Sequence, residues 1–169
     1  MSVAIQIAHE NVQQGTGGPF GCAIFERDNS TAGGQASSRL FSVGANRVTV
    51  LNNSTLHGET VAIQYGEQKL SHFSFRSAGA SKGKEYILCT SCEPCAMCIG
   101  ATLWSGCHEM ICSAAKDDAE AIGFNEGPVF EESYKQLEAA GIKIKRNVLR
   151  TEGAKVLEEY GKNGIIYNS

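Results

Sequence analysis

The stretch His57-Gly58-Glu59, answered downstream by Glu93-Pro94-Cys95-Ala96-Met97-Cys98, decides how the rest of the chain is read. One imidazole and two thiols make a three-ligand set for zinc, which leaves the fourth tetrahedral position to a water, as catalytic rather than structural sites do. Cys95 and Cys98 stand three apart, so a helix brings them to one face, and Pro94 suits its first position. The positive start of such a helix favours thiolate. His57 and Glu59 are two apart and share no helix face. They converge only if a helix begins near Leu56 and the metal lies beyond its first turn. Glu59 is then the expected proton carrier, because zinc lowers the pKa of bound water from about 16 to about 7 and a nearby carboxylate can take that proton and pass it to a leaving group. A lone Cys-x-x-Cys would equally fit a redox dithiol or half a zinc ribbon. Neither explains an upstream His-x-Glu.

At 169 residues with a net charge of −3, the chain is expected to form one domain over residues 1–169 and to bury a proper core. Basic residues are scattered apart from Lys143, Lys145 and Arg146, which argues against a phosphate-tracking surface and a nucleic-acid partner. An uncharged small molecule fits better. Seven cysteines, without a basic leader in the opening residues, lead to an expectation of reduced thiols and a cytoplasmic setting. No apolar run approaches a membrane span.

Along the chain, Ala4, Ile5, Ala8 and Val12 form the apolar side of a first helix, stopped by residues 15–19. Residues 20–26 read as a buried strand, with Gly17 and Gly18 allowing close approach of a ligand. Residues 28–38 read as a hairpin loop and 39–45 as the returning strand. A helix follows over 56–69, then a polar loop over 71–84, a strand over 85–90, the second metal-bearing helix over 94–104 and a strand over 109–114. A short helix over 117–122, a stripe of Phe130, Tyr134 and Leu137, a strand at 142–145 and a helix over 152–160 complete the chain. Strands alternating with helices predict an α/β domain, helices layered on both sides of a mixed sheet.

His57-x-Glu59 with Pro94-Cys95-x-x-Cys98 resembles the signature of zinc nucleobase deaminases, the cytidine deaminase-like superfamily. Its fold implies a three-layer α/β/α arrangement on a central mixed five-stranded sheet. Within it, Gly17-Gly18-Pro19-Phe20, Gly44-Ala45-Asn46-Arg47, residues 90–98, residues 121–128 and residues 163–168 are similar to the bacterial guanine and ammeline deaminase branch. The resemblance runs over nearly the whole chain, and the 121–128 segment discriminates best. It implies one catalytic Zn2+ on His57, Cys95 and Cys98, a catalytic Glu59, and a second carboxylate, Glu126, facing the departing amino group. It also implies Phe20 and Phe124 on either side of a planar base, Asn46 reading the base edge, and a backbone contribution from Gly58. A homodimer and a C-terminal Tyr167 segment closing over the pocket belong to the same implication. Pattern alone leaves Glu126 a solvated loop carboxylate, Phe20 and Phe124 core residues and Asn46 a turn residue.

The expected reaction is hydrolytic deamination of guanine to xanthine and ammonia, or of ammeline or a related amino-heterocycle, in purine nucleobase breakdown. Two alternatives stay open: the same chemistry on cytosine, a nucleoside or a tRNA adenosine, and a non-catalytic, zinc-stabilised base-binding module.

Overall fold

The computed structural model describes residues 1–29, 37–80 and 82–168. Helix α1 (Ser2–Gln13) leads into strands β1 (Gly21–Asp28) and β2 (Ser37–Ala45), then α2 (Val48–Leu51), α3 (Gly58–Leu70) and α4 (Phe75–Ala80). Strand β3 (Lys84–Cys92), α5 (Ala96–Ser105), β4 (Glu109–Ala114), α6 (Lys116–Glu120), α7 (Glu131–Ala139), β5 (Lys143–Lys145) and α8 (Arg150–Gly161) follow. The strands lie in the order β2-β1-β3-β4-β5. The β1/β2 and β1/β3 pairs are antiparallel, while β3/β4 and β4/β5 are parallel.

Side-chain alternation sorts the layers. Cys22, Ile24, Leu88 and Met110 face a core shared with Ala62, Ile63, Phe75 and Leu137 from α3, α4 and α7. Ala23, Ile87 and Cys89 face the opposite way, against Ala4 of α1. With both faces covered, the central strands read as nearly continuous apolar runs, which is why they were visible in the sequence. Two glycines bring the helices close. A Cβ on Gly21 would fall 2.4 Å from the Ala4 carbonyl oxygen, and one on Gly44 would fall 2.1 Å from that of Gly58. Helices α1 and α3 therefore lie directly on the strand backbones, and the start of α3 is fixed against β2.

At the sheet end where β1 finishes, ion pairs satisfy buried carboxylates, as buried charge requires. Glu26 accepts from Arg39, Lys84 and the Tyr86 hydroxyl, and Arg27 joins Glu85 to Glu109. The other end gathers the start of β1 and the ends of β2, β3 and β4, and the site is built there.

Several expectations change. The stretch 71–84 is not all loop: α4 occupies Phe75–Ala80. Its one apolar anchor, Phe75, is fully buried, and a single anchor leaves no periodic signal. The short α2 also lacked one. Strand β3 runs on to Cys92, whose side chain joins a different cluster from that of Cys89, so these two cysteines do not face one ion. Pro94 is not the first helical residue; Cys95 is the N-cap of α5 and Ala96 opens it. Phe130 leaves the α7 stripe: it is the N-cap and 63% exposed, while Tyr134 and Leu137 are buried as expected. Residues 30–36 of the expected hairpin loop lie outside the described residues.

Phe75→Ala is expected to lower stability by about 3–5 kcal/mol, the usual loss for a buried phenylalanine, read from urea unfolding. A loss below about 0.5 kcal/mol, typical of surface positions, would return this segment to the status of a loop.

Candidate active site

Two helix starts deliver the ligand set. His57 is the N-cap of α3 and Cys95 that of α5, both in extended backbone conformation, and Cys98 lies in the first turn of α5. The His57 Nδ1 atom is 3.5 Å from Cys95 Sγ and 3.6 Å from Cys98 Sγ. Tetrahedral zinc with nitrogen at about 2.0 Å and sulfur at about 2.3 Å sets such donors roughly 3.5 Å apart. All three ligand atoms lie within 4.8 Å of one another. Donor chemistry and spacing both fit the ion the sequence implied.

In the metal-free protein the three groups share protons. The Cys98 thiol hydrogen-bonds to Cys95 and, with help from His57, holds the Cys95 thiol down to about 4 against its burial. The same bond to Cys95, together with burial, pushes Cys98 well up. Burial works against the His57 cation, yet the Cys95 thiolate outweighs it and raises the imidazole. The set is thus poised to exchange protons for a cation.

Glu59, in the first turn of α3, is buried beside it. One carboxylate oxygen accepts from the Thr90 hydroxyl at 3.0 Å and the other from Cys98 Sγ at 3.4 Å. Burial, then the Cys95 charge, raises its pKa. Glu126 is as buried as Glu59, both being 5% exposed. Burial first, then Cys95 and Glu59, pushes Glu126 up to about 8. Its segment is pinned to the metal helix, since the Ala96 N–H donates to the Glu126 carbonyl at 3.0 Å. The solvated-loop alternative is therefore excluded for Glu126.

Asn46 follows β2 and is fully buried. Its Oδ1 accepts from Gly18 and Val48 N–H groups, while its Nδ2 has no partner among the described residues. The Tyr167 hydroxyl is also buried with no partner among the described residues. It and Asn46 Oδ1 lie 2.6 and 3.1 Å from the point where a Cβ on Gly18 would fall. Gly58 contributes backbone: a Cβ on it would fall 3.3 Å from Gly21 and the Cys22 nitrogen at the start of β1.

The expected aromatic sandwich is not formed. Phe20 and Phe124 touch edge to face, centroids 5.0 Å apart at 73°, leaving no gap for a third ring. Phe124 is almost fully buried against Tyr160 and Tyr167, because residues 119–124 turn inward onto α8. Phe20 is only partly buried.

Two supporting residues escaped the sequence. Thr90 orients Glu59. Asn11 of α1 donates at 2.8 Å to both the Gly18 and Asn46 carbonyls, tying the two segments together. Its signal was positional: with Ala4 and Ala8 it completes the buried stripe of α1.

Since the folded protein favours neutral Glu126, this group's contribution to stability is present below the ordinary carboxylate pKa and lost as pH rises through about 8. In zinc-free protein, Glu126→Gln is expected to be the more stable form at pH 8 by roughly 4 kcal/mol, the gap closing toward pH 5, as followed by urea unfolding. A less stable variant at pH 8 would mean that a partner supports the charged carboxylate.

A profile of the "Cytidine and deoxycytidylate deaminase zinc-binding region" matches residues 1–114. The guanine deaminase of Bacillus subtilis (strain 168) is 35% identical over 135 residues, 80% of this chain and 75% of that one. The crystal structure of NE0047 in complex with 2,6-diaminopurine superposes with a TM-score of 0.83 at 36% identity, covering 99% of this chain and 82% of the other. The guanine deaminase from Nitrosomonas europaea gives 0.81 at 33% identity, covering 95% and 82%. The sheet order, the His57, Cys95 and Cys98 donor set and these likenesses agree: the chain belongs to the cytidine and deoxycytidylate deaminase family of zinc-binding proteins.

Proposed function

We propose that this chain is a zinc-dependent guanine deaminase, converting guanine to xanthine and ammonia. One observation carries the reading: a second carboxylate, Glu126, is buried beside the donor set and favours its protonated form. A site with a single carboxylate has one proton carrier for two tasks. Here each task has its own group. The guanine deaminases of B. subtilis and N. europaea among its relatives support the same substrate.

When bound, zinc supplies an activated water as the nucleophile. Glu59, held by Thr90 and Cys98, takes a proton from that water and passes it to the ring nitrogen next to the carbon under attack. Glu126, whose burial favours the protonated form, gives its proton to the departing amine. The second water proton leaves the new hydroxyl as the carbonyl forms and restores Glu126, so guanine and water become xanthine and ammonia. Asn46 holds the base edge through its amide, which has no partner among the described residues, and the partly buried Phe20 packs on the ring. Burial by the aromatic segment around Phe124, Tyr160 and Tyr167 keeps other water out. Gly58 shapes the pocket wall through its backbone.

The same reading takes residues 1–169 as one domain working in the cytoplasm, and as one half of a homodimer. Phe73 and Trp104 are 80% and 81% exposed and line, with Ile63 and Ala101, a groove between α3 and α5. Large apolar residues grouped on a surface mark interaction sites. A second copy fits that description without needing any other partner.

Ammonia release from guanine, ammeline, cytosine, adenine, guanosine and cytidine tests the substrate; guanine is expected to lead, and release from cytosine without guanine would overturn the choice. Glu59→Gln is expected to lose at least about 1,000-fold in kcat, within the range for a general acid–base group, with zinc content unchanged. Full activity in that variant would end the mechanism. Trp104→Asp is expected to halve the mass measured by light scattering, and a monomeric native protein would remove the dimer.

A further inference from the structure

The sequence singled out one basic group, at Lys143, Lys145 and Arg146, that the deamination chemistry does not use. Lys145 is accounted for by Glu109. Arg146, just past β5, turns the other way: its Nε donates to Glu93 Oε1 at 2.5 Å, one terminal nitrogen to Glu131 on α7 at 2.8 Å, and its guanidinium lies 4.5 Å from the centre of the Tyr134 ring. Glu93 stands two residues before the ligand Cys95. Its side chain is only 3% exposed. Its other oxygen accepts from the Lys116 N–H at 3.0 Å, and its own N–H donates to the Ala114 carbonyl at 2.8 Å.

We propose that Arg146 is a positioning residue for the zinc-binding loop, acting through Glu93 to hold Cys95 where it meets Cys98 and His57. The mechanical link is short. Between Glu93 and Cys95 lies only Pro94, whose ring fixes one of its two backbone torsions, so a displacement of Glu93 is passed on to Cys95. Arg146 is itself fixed from two sides, by the Glu131 ion pair and by the Tyr134 face, and α7 thereby braces the metal loop across the end of the sheet. Without the guanidinium, the Glu93 carboxylate is buried with one backbone hydrogen bond and no counter-charge among its described ion pairs, and such a group is driven to move toward water. Loss of groups that support metal ligands lowers metal affinity about 10–100-fold.

The readout is zinc itself, so failure of the guanine assignment leaves this inference standing. Zinc-loaded protein is mixed with excess chelator and a zinc indicator, and the release rate is measured beside the melting temperature for the native chain, Arg146→Met, Arg146→Lys and Arg27→Met. Arg27→Met is the control, because it also strips an ion pair from a buried carboxylate, Glu109, but away from the metal. Expected are release at least about tenfold faster in Arg146→Met, a native rate in Arg27→Met, and recovery toward the native rate in Arg146→Lys, which restores the charge. A native rate in Arg146→Met would overturn the proposal, as would equal acceleration in Arg27→Met, which would mark general loosening. Should Arg146→Met fail to fold, Glu93→Gln, which keeps the side-chain volume, decides by the same criterion.

Discussion

Helices α3 and α5 aim their N-termini at one point, and the residue at each cap position is a metal ligand, His57 or Cys95, whose side chain does not cap its own helix. Cap positions favour Ser, Thr, Asp and Asn because those side chains satisfy free amides, and giving up such a cap costs about 1 kcal/mol. Two helix starts are therefore left open in the same place. Tertiary packing holds them there: α3 lies on β2 through Gly44, and α5 is the crossover between β3 and β4, strands that pair directly. The arrangement has an electrostatic return, because the positive ends of two helices favour the thiolates that a cation needs.

Around this point the chain collects groups that are unfavourable to bury one at a time. Glu59 and Glu126 resist ionisation, and the Asn46 amide and Tyr167 hydroxyl lack partners among the described residues. Each is tolerated because the surrounding sheet and helices are closely packed and fully formed without it. In the proposed reading, a flat heterocycle with donors and acceptors around its rim is the partner that these groups have in common. Stability and function are then set against each other at the same residues.

The sheet and the donor set were legible because each leaves a strong local mark. β4 was located to the residue, as both its faces are buried, and His57-x-Glu59 with Cys95-x-x-Cys98 carries its chemistry in its spacing. What escaped depends on single contacts between distant segments. α4 rests on Phe75 alone, and Asn11 gains its role only when α1 meets the Gly18 and Asn46 segments. The Phe20 and Phe124 pair shows a different limit: the two rings do meet, but their mutual angle is fixed by how residues 119–124 turn onto α8. Residue types announce chemistry, whereas relative orientation is decided by packing that no local window contains.

Gly44 touches neither the donor set nor the carboxylates, yet the chain has no room there for even a methyl group, since one would fall 2.1 Å from the Gly58 carbonyl and 2.5 Å from the Ala62 nitrogen. Both atoms are backbone of the helix that carries Glu59 and begins at His57, so any side chain at position 44 would shift a ligand and a proton carrier together. In a mutational scan for zinc binding, this strand position should be as intolerant as the ligands themselves, and evolutionary drift at the site would be limited by a residue that never meets the substrate.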